Sequence, residues 1–365
     1  MIQYPIGILG GGQLARMLLL SAHPLGLETS VFVAQKSEPA AQVCGQSFVG
    51  SLDNEDHLKN YTANLSALTF ESEFVDTDKL ARCLPKSLNV FPRLDVISQI
   101  QDRLPQKQLL DTYKIPTAPW MPVQSEADLK QASGKFKNGF VLKQRRFGYD
   151  GYGTFFCRDG RIDPSWLQKT KHGFIAEAAI PFRRELAISF VRSSSGAFLT
   201  LPLVETVQRD ARCFTVKGPV QHAGIKSLSQ RCKRLMNEIG YVGILAAELF
   251  DVGRELLVNE LAPRVHNSAH YSMDALSCSQ FEYHLRAGLD WPLPKLQLVQ
   301  KGFAMVNLLG EGGKVQLSRV PLGHLHWYGK GENRKGRKMG HINVLGHSGT
   351  AALTQALKWR KDFKL

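Results

Sequence analysis

The chain has 365 residues, of which 43% are hydrophobic, and it carries a formal net charge of +14. A chain of this length is expected to form two or three domains with buried cores. The positive charge would suit a nucleic-acid-binding protein, but the 46 lysines and arginines are spread along the chain and no aromatic RNA-binding motif accompanies them. We therefore expect anionic small molecules, and no nucleic acid, as ligands.

The cysteines and the apolar segments indicate the compartment. Six cysteines are scattered without a Cys-x-x-Cys pair, which is typical of free thiols in a reducing environment. Residues 1–7 lack the basic segment of a secretion signal, and apolar runs break up before membrane-spanning length. These features predict a cytoplasmic protein that has no membrane partner.

The first predicted unit is a strand, a glycine turn and a helix. Residues 6–9 are an apolar run, Gly10-Gly11-Gly12 follow, and apolar residues then recur at helical spacing. Such a unit presents backbone N–H groups to an anion at the helix N-terminus. A dinucleotide-binding domain would usually place an acid after the second strand, but Gln35 stands there. A dehydrogenase that binds NAD is therefore only a minor alternative.

The next predicted elements lead to a small lid. The segments 65–75 and 88–92 are expected to contain strand ends, a helix is expected at 100–110, and a proline-marked linker at 116–122. Lys143 lies in a strand that precedes the glycine-rich turn 147–153, and a further strand covers 154–157. A lysine in this position can reach phosphate oxygens while the amides of the turn cover them.

The remaining elements are predicted from apolar periodicity. We expect strands at 199–205 and 304–309 and helices at 227–239 and 279–288. Residues 325–341 form a basic segment flanked by glycines, which is suited to holding a phosphate group.

Two acids interrupt apolar strands near residue 250. Glu248 lies in the run 242–250 and Glu260 in the run 255–260, and a turn at Gly253 separates them. A carboxylate in a core strand is costly unless it is paired, and two adjacent carboxylates repel. If the strands form a hairpin in which the two acids face one another, the pair predicts a Mg²⁺ site. The sequence does not fix that register, and two solvated or arginine-paired acids remain the alternative.

The segment Asn-Glu-Leu-Ala-Pro-Arg-Val-His-Asn-Ser at 259–268 resembles the signature of the N5-carboxyaminoimidazole ribonucleotide synthase family of ATP-grasp enzymes. Gly-Gly-Gln-Leu-Ala-Arg-Met at 11–17 and Arg-Lys-Met-Gly-His at 337–341 resemble the same family. The resemblance implies an α/β (α+β) protein of three domains. These are a Rossmann-like N-terminal domain at 1–104, a central ATP-grasp domain at 105–295 with a lid at about 112–180, and a small β-rich C-terminal domain at 296–365 that binds substrate.

The resemblance also implies the site residues. ATP is expected to contact Arg103, Lys143, Gly148, Tyr149, Asp150, Gly151, Gly153, Glu177, Ile180, Glu185, Gln208, Asn259 and Glu260. The ribonucleotide is expected to contact Tyr149, Asp150, Arg264, His266, Asn267, Lys330, Arg337 and Lys338. Glu248 and Glu260 would hold Mg²⁺, and Asp150, Lys143 and Arg264 are the expected catalytic residues.

The implied activity is the carboxylation of 5-aminoimidazole ribonucleotide with ATP and bicarbonate, by a homodimer, in purine biosynthesis. Three residues depart from the family: Thr206 and Gln208 replace Asn and His, and Tyr152 replaces Lys or Arg. A glutamine can donate a hydrogen bond but cannot carry a proton. Two alternatives therefore remain open, an ATP-grasp ligase for a different amine and acid and a non-catalytic nucleotide-binding relative.

Overall fold

A computed structural model of the chain describes residues 5–148, 151–158, 163–315, 322–361 and 363. The predicted contacts of Tyr149 and Asp150 fall outside these described residues. Within the described part, no helix has the length and apolar character needed to cross a membrane.

The N-terminal part is a parallel sheet with helical crossovers. Its elements are β1 Ile6–Leu9, α1 Gln13–Ala22, β2 Thr29–Val33, β3 Ser47–Val49, α2 Glu55–Thr62, β4 Ala67–Phe70, α3 Thr77–Cys83, β5 Asn89–Val90, α4 Leu94–Gln101 and α5 Arg103–Thr112. The strand order is β3-β2-β1-β4-β5, and every pair is parallel. β1, β2 and β4 are buried along their whole length, as is typical of a parallel sheet covered by helices.

The predicted single helix at 100–110 is wrong, because the structure has two helices there. Asp102 interrupts the run with an extended backbone conformation, and its carboxylate accepts a hydrogen bond from the backbone N–H of Leu104. An aspartate that caps a new helix ends the preceding one. The break sets the direction of α5, which carries Arg103 on its first turn.

The lid is a second, antiparallel sheet with one helix. It contains β6 Trp120–Val123, α6 Glu126–Lys135, β7 Phe140–Gln144, β8 Thr154–Cys157 and β9 Phe174–Ala178, in the order β6-β9-β7-β8. A separate apolar core joins α6 to these strands, with Leu129, Phe140 and Phe174 among its members. The lid therefore has its own hydrophobic core.

The third sheet joins the central and C-terminal parts. Its strands are β10 Arg184–Arg192, β11 Phe198–Thr200, β12 Val204–Arg209, β13 Arg212–Gly218, β14 Gly243–Asp251, β15 Leu256–Ala262, β16 Gly302–Leu309, β17 His324–Trp327 and β18 Lys338–Gly346. The order is β15-β14-β10-β12-β13-β16-β18-β17, and β11 pairs with β10. Because β13 pairs with β16, the C-terminal strands extend the central sheet.

The helices of this part are α7 Ile225–Glu238, α8 Ser272–Ala275, α9 Gln280–Gly288 and α10 Gly349–Lys361. Leu228, Cys232 and Leu235 of α7 are buried against the central sheet, as the amphipathic pattern predicts. The predicted strand at 199–205 is wrong in extent, because residues 201–203 separate β11 from β12. The basic segment 325–341 is only partly a loop, since β17 and β18 occupy its ends.

Candidate active site

A cavity of about 650 Å³ lies between the lid, the central sheet and the N-terminus of α1. Most of the predicted site residues line it, namely Arg103, Lys143, Gly148, Gly151, Glu177, Ile180, Glu185, Gln208, Glu248, Asn259, Glu260, Arg264, His266, Asn267 and Lys338. Three predicted residues, Gly153, Lys330 and Arg337, are not among the described residues that line it. The cavity thus brings together residues that are far apart in the sequence.

The two acids of the hairpin face one another. β14 and β15 are antiparallel, and Glu248 is the register partner of Glu260, with a bulge directly after Glu248. Nη1 of Arg103 lies 2.6 Å from Oε2 of Glu260, so Glu260 has a cationic partner. Burial by the surrounding protein, followed by the charges of Glu260 and Glu185, raises the pKa of Glu248 to about 7. The pair is therefore incompletely neutralised by the protein.

This donor set fits a hard divalent cation. Glu248 and Glu260 offer carboxylate oxygens at adjacent positions, and the cavity beside them has room for further oxygen ligands. Among the described residues, no group of three or more His, Cys, Asp or Glu could by itself hold a metal ion. Mg²⁺ is commonly held by one or two carboxylates, with substrate phosphates and water completing its shell.

A row of alternating charges forms the floor of the cavity. Nζ of Lys143 lies 2.8 Å from Oε2 of Glu177 and donates to Oδ1 of Asn259 at 2.7 Å. Nζ of Lys107 lies 3.2 Å from Oε1 of the same carboxylate. Burial opposes ionisation of Glu177, but the two lysines outweigh it and lower its pKa to about 2. Both oxygens of the Glu177 carboxylate therefore face lysines.

The other end of the cavity suits a nucleoside. The rings of Phe182 and Phe250 are stacked with centroids 4.6 Å apart, and both line the cavity. Gln208 donates a hydrogen bond to Glu185, whose pKa is raised by burial. Stacked aromatic rings offer an apolar face to a base, while an acid and an amide offer partners to hydroxyl groups.

The anion expected at the glycine turn is a side chain of the protein. Oε1 and Oε2 of Glu71, directly after β4, accept hydrogen bonds from the N–H groups of Gly12 (2.7 Å) and Ala15 (3.2 Å). A Cβ atom on Gly12 would lie 2.6 Å from Oε2 of Glu71, so a larger residue here would push the Glu71 carboxylate away from these N–H groups. Glu71 thus caps α1 and occupies the site that the motif predicted for a ligand.

Arg264 is held by Glu73, which lies two residues after Glu71. Its Nε and Nη2 donate to the two oxygens of Glu73, the latter at 3.1 Å. Glu73 is 6% exposed, so this bidentate pair is largely shielded from water. The pair fixes the Arg264 guanidinium at the wall of the cavity, and it links the N-terminal sheet to the motif at 259–268.

His266 and Asn267 extend this wall. Nε2 of His266 lies 3.6 Å from Oε1 of Glu248, and its Nδ1 is hydrogen-bonded to Ser268 Oγ. Burial, and then the charges of Arg264 and Lys338, hold the pKa of His266 well below its usual range. The imidazole is therefore neutral at neutral pH. The amides of Asn267 and Asn307 exchange hydrogen bonds at 2.7 and 3.1 Å, which fixes Asn267.

Four predicted ligand-binding residues, Lys338, Lys330, Arg337 and Gly153, differ in whether they line the cavity. Lys338 begins β18 and lines the cavity. Lys330 lies over the ring of Tyr328, 5.7 Å from its centroid, and Arg337 donates to the backbone carbonyl of Glu332 at 3.1 Å. Gly153 packs on the Gln144 side chain, where an added Cβ atom would lie 2.8 Å from Oε1. Lys330, Arg337 and Gly153 are thus not among the described residues that line the cavity, and their predicted ligand contacts stay predictions.

Sequence reasoning missed Lys107, Glu71, Glu73 and the Phe182–Phe250 stack. Lys107 follows Arg103 by one helical turn on α5, and residues four apart share a helix face. That spacing could have indicated from the sequence that Lys107 lies near the site of Arg103. Glu71 and Glu73 alternate at a strand end, a pattern that is equally common in solvent-facing acids, so their burial depends on partners that are distant in sequence.

A lid over a sheet, a lysine and a glycine turn in the lid, and paired acids in a hairpin define an ATP-grasp enzyme. Three family models match the chain in order: "Ribonucleotide synthetase preATP-grasp domain" at residues 3–101, "ATP-grasp domain" at 108–281 and "Phosphoribosylaminoimidazole carboxylase C-terminal domain" at 304–355. The chain is an ATP-grasp ligase, and its expected α/β, three-domain class is confirmed. The exact domain and lid boundaries stay a prediction.

The chain belongs to the N5-carboxyaminoimidazole ribonucleotide synthase family. It is 36% identical to the enzyme of that name from Synechococcus elongatus, over 96% of this chain and 92% of the relative. The crystal structure of the synthetase from Thermus thermophilus is similar with a TM-score of 0.86 and 35% identity over 99% of both chains. The Aspergillus clavatus synthase, crystallised with ADP and 5-aminoimidazole ribonucleotide, has a TM-score of 0.88 and 28% identity, covering 99% of this chain and 100% of that chain.

Proposed function

We propose that this chain uses ATP and bicarbonate to carboxylate the exocyclic amine of 5-aminoimidazole ribonucleotide, in purine biosynthesis. The observation that carries the proposal is that one cavity joins the nucleoside end, with Phe182 and Glu185, to the wall formed by Arg264 and His266. A relative of this family was crystallised with ADP and the ribonucleotide together. Most of the described residues that are expected to bind these ligands line the same cavity.

The reaction is proposed to run in two steps. An oxygen of bicarbonate attacks the γ-phosphorus of ATP, which forms carboxyphosphate and releases ADP. The nitrogen of the exocyclic amine then attacks the carboxyl carbon, inorganic phosphate leaves, and the amine loses a proton. The protein contributes mainly positioning and charge neutralisation to such a phosphoryl transfer.

The residues of the cavity have distinct proposed roles. Lys143 supplies a fixed positive charge beside the phosphates, because Glu177 and Asn259 hold its ammonium group in place. Glu248 and Glu260 are proposed to hold Mg²⁺, which when bound neutralises phosphate charge. Arg264 and His266 are proposed to bind the ribonucleotide. Asp150, which is outside the described residues, stays the predicted residue that orients the amine.

Exclusion of water is part of the proposed chemistry, since carboxyphosphate hydrolyses in water. The lid strands carry Lys143, Thr154 and Glu177 to one side of the cavity, and the central sheet closes the other side. The glycine turn at Gly151 has φ of +81°, a backbone conformation that a glycine adopts without strain. A closed lid would shield the intermediate until the amine attacks.

The proposal is tested by measuring ADP formation with bicarbonate, with and without 5-aminoimidazole ribonucleotide. We expect ADP formation to depend on the ribonucleotide and on Mg²⁺. Equal rates with and without the ribonucleotide would contradict the proposed substrate, and replacing it with other amines would then identify a ligase of different specificity.

One observation favours a second candidate, a nucleotide-binding protein without turnover. Gln208, which stands where the family has a histidine, is hydrogen-bonded to Glu185 in the cavity. Tight binding of ADP without ribonucleotide-dependent ATP hydrolysis would support this candidate. Restoring the family residue with Gln208→His should then raise the rate.

We also propose a homodimer and a cytoplasmic location, which rest on the family resemblance and on the cysteine pattern. Light scattering of the purified protein should give a mass of about twice 40.7 kDa. A mass of one chain at micromolar concentration would contradict the dimer.

A further inference from the structure

Lys107 is a buried lysine beneath the cavity. Its side chain is only 2% exposed, and it is not among the described residues that line the cavity. Nζ of Lys107 donates to Oγ1 of Thr117 at 2.5 Å and to the backbone carbonyl of Asn259 at 3.4 Å, and it lies 3.2 Å from Oε1 of Glu177. It therefore contacts the segment before β6, the hairpin of the two acids and the lid strand β9.

The partner of Lys107 is shared with the lysine that faces the substrate. Oε2 of Glu177 lies 2.8 Å from Nζ of Lys143, and the Glu177 side chain is 3% exposed. The three side chains carry a net charge of +1 when all are ionised. Without Lys107, the buried Glu177 carboxylate would neutralise Lys143 alone, and the net charge would be zero.

The pKa values of Lys107 and Glu177 support this charge count. Burial, partly offset by Glu177, lowers the pKa of Lys107 to about 8, so the ammonium form prevails at neutral pH. The pKa of Glu177 is about 2, because the attraction of the two lysines exceeds the effect of burial. Lys107 and Glu177 are thus both mainly charged at pH 7.

We propose that Lys107 is a positioning residue that supplies the countercharge of Glu177 and so leaves the charge of Lys143 available to the phosphates of the nucleotide. Lys107 acts through Glu177 and does not touch substrate. An ammonium group has three donors, and Lys143 directs two of them to Glu177 and Asn259, which leaves one for a phosphate oxygen. The inference rests on the proposed ATP-binding function of this cavity.

The test compares the binding of ADP with the binding of adenosine, which lacks phosphates. Lys107→Met should weaken ADP at least about tenfold, because a buried unit charge near the phosphates is lost, and should leave adenosine within about twofold. Lys107→Met/Glu177→Gln restores a net charge of +1 and should bind ADP within about threefold of the wild type. Lys130→Met, at an exposed lysine of α6, is the matched control and should bind both ligands normally.

The results that would overturn the inference are as follows. Equal weakening of ADP and adenosine by Lys107→Met would show a general structural role and overturn the inference, as would unchanged ADP binding. If Lys107→Met does not fold, the double variant takes its place, and ADP weakening of about tenfold or more in it would contradict action through Glu177. A wild type that binds ADP but lacks ribonucleotide-dependent turnover would refute the proposed reaction and leave the role of Lys107 standing.

Discussion

Acid should destabilise this protein partly through Glu177. The carboxylate has a pKa of about 2 in the folded protein, compared with 4.5 for an ordinary glutamate. Between these values the unfolded chain binds a proton that the folded chain does not, so the free energy of unfolding falls as pH falls from about 4.5 to about 2. The difference corresponds to about 3 kcal/mol at about 1.4 kcal/mol per pKa unit, and this contribution is complete above pH 4.5.

The assay is urea unfolding of the wild type and Glu177→Gln at several pH values between 5 and 2. Tryptophan fluorescence suits it, because Trp120 is the register partner of Glu177 in the lid sheet. We expect the stability difference between the two proteins to shrink by up to about 3 kcal/mol as pH falls through this window. Glu28→Gln, at an exposed acid, is the control. A stability difference that stays constant from pH 5 to pH 2 would refute the charge arrangement described for the cavity floor.

Three further predictions test other parts of the cavity. Glu260→Gln should abolish Mg²⁺-dependent turnover while circular dichroism shows a folded protein, and an unfolded variant would indicate a structural acid instead. Arg264→Lys keeps the charge but loses the bidentate contact with Glu73, and we expect the KM for the ribonucleotide to rise about tenfold or more, with ADP affinity unchanged. Lys338→Ala should raise the same KM more than Lys330→Ala does, because Lys338 lines the cavity; equal effects in steady-state kinetics would contradict this assignment.

The hairpin of Glu248 and Glu260 was predictable because its signal is local. Two apolar runs separated by a turn form antiparallel strands, and acids inside such runs need a partner. The register that places them opposite one another was a hypothesis, and the structure shows it. The bulge after Glu248 shifts the later pairs and was not readable from the sequence.

The partners of the charged residues were not predictable, because they come from distant segments. Arg103 pairs with Glu260 across 157 residues, and Arg264 pairs with Glu73 across 191. Side-chain periodicity describes one helix or strand at a time, and it does not show which other element packs against its buried face. The same limit explains why the predicted C-terminal unit gave no hint that β16 continues the central sheet through β13.

These distant pairs give the cavity a consistent electrostatic design. Three cations that line the cavity are each paired with an acid: Arg103 with Glu260, Arg264 with Glu73, and Lys143 with Glu177. A held cation is preorganised, so little side-chain entropy is lost when an anionic substrate arrives. Full neutralisation by the same acids would, however, cancel the attraction for phosphate. At Lys143 we expect no such cancellation, because Lys107 supplies a second positive charge to Glu177 from beneath the cavity. The buried lysine is therefore expected to strengthen nucleotide binding.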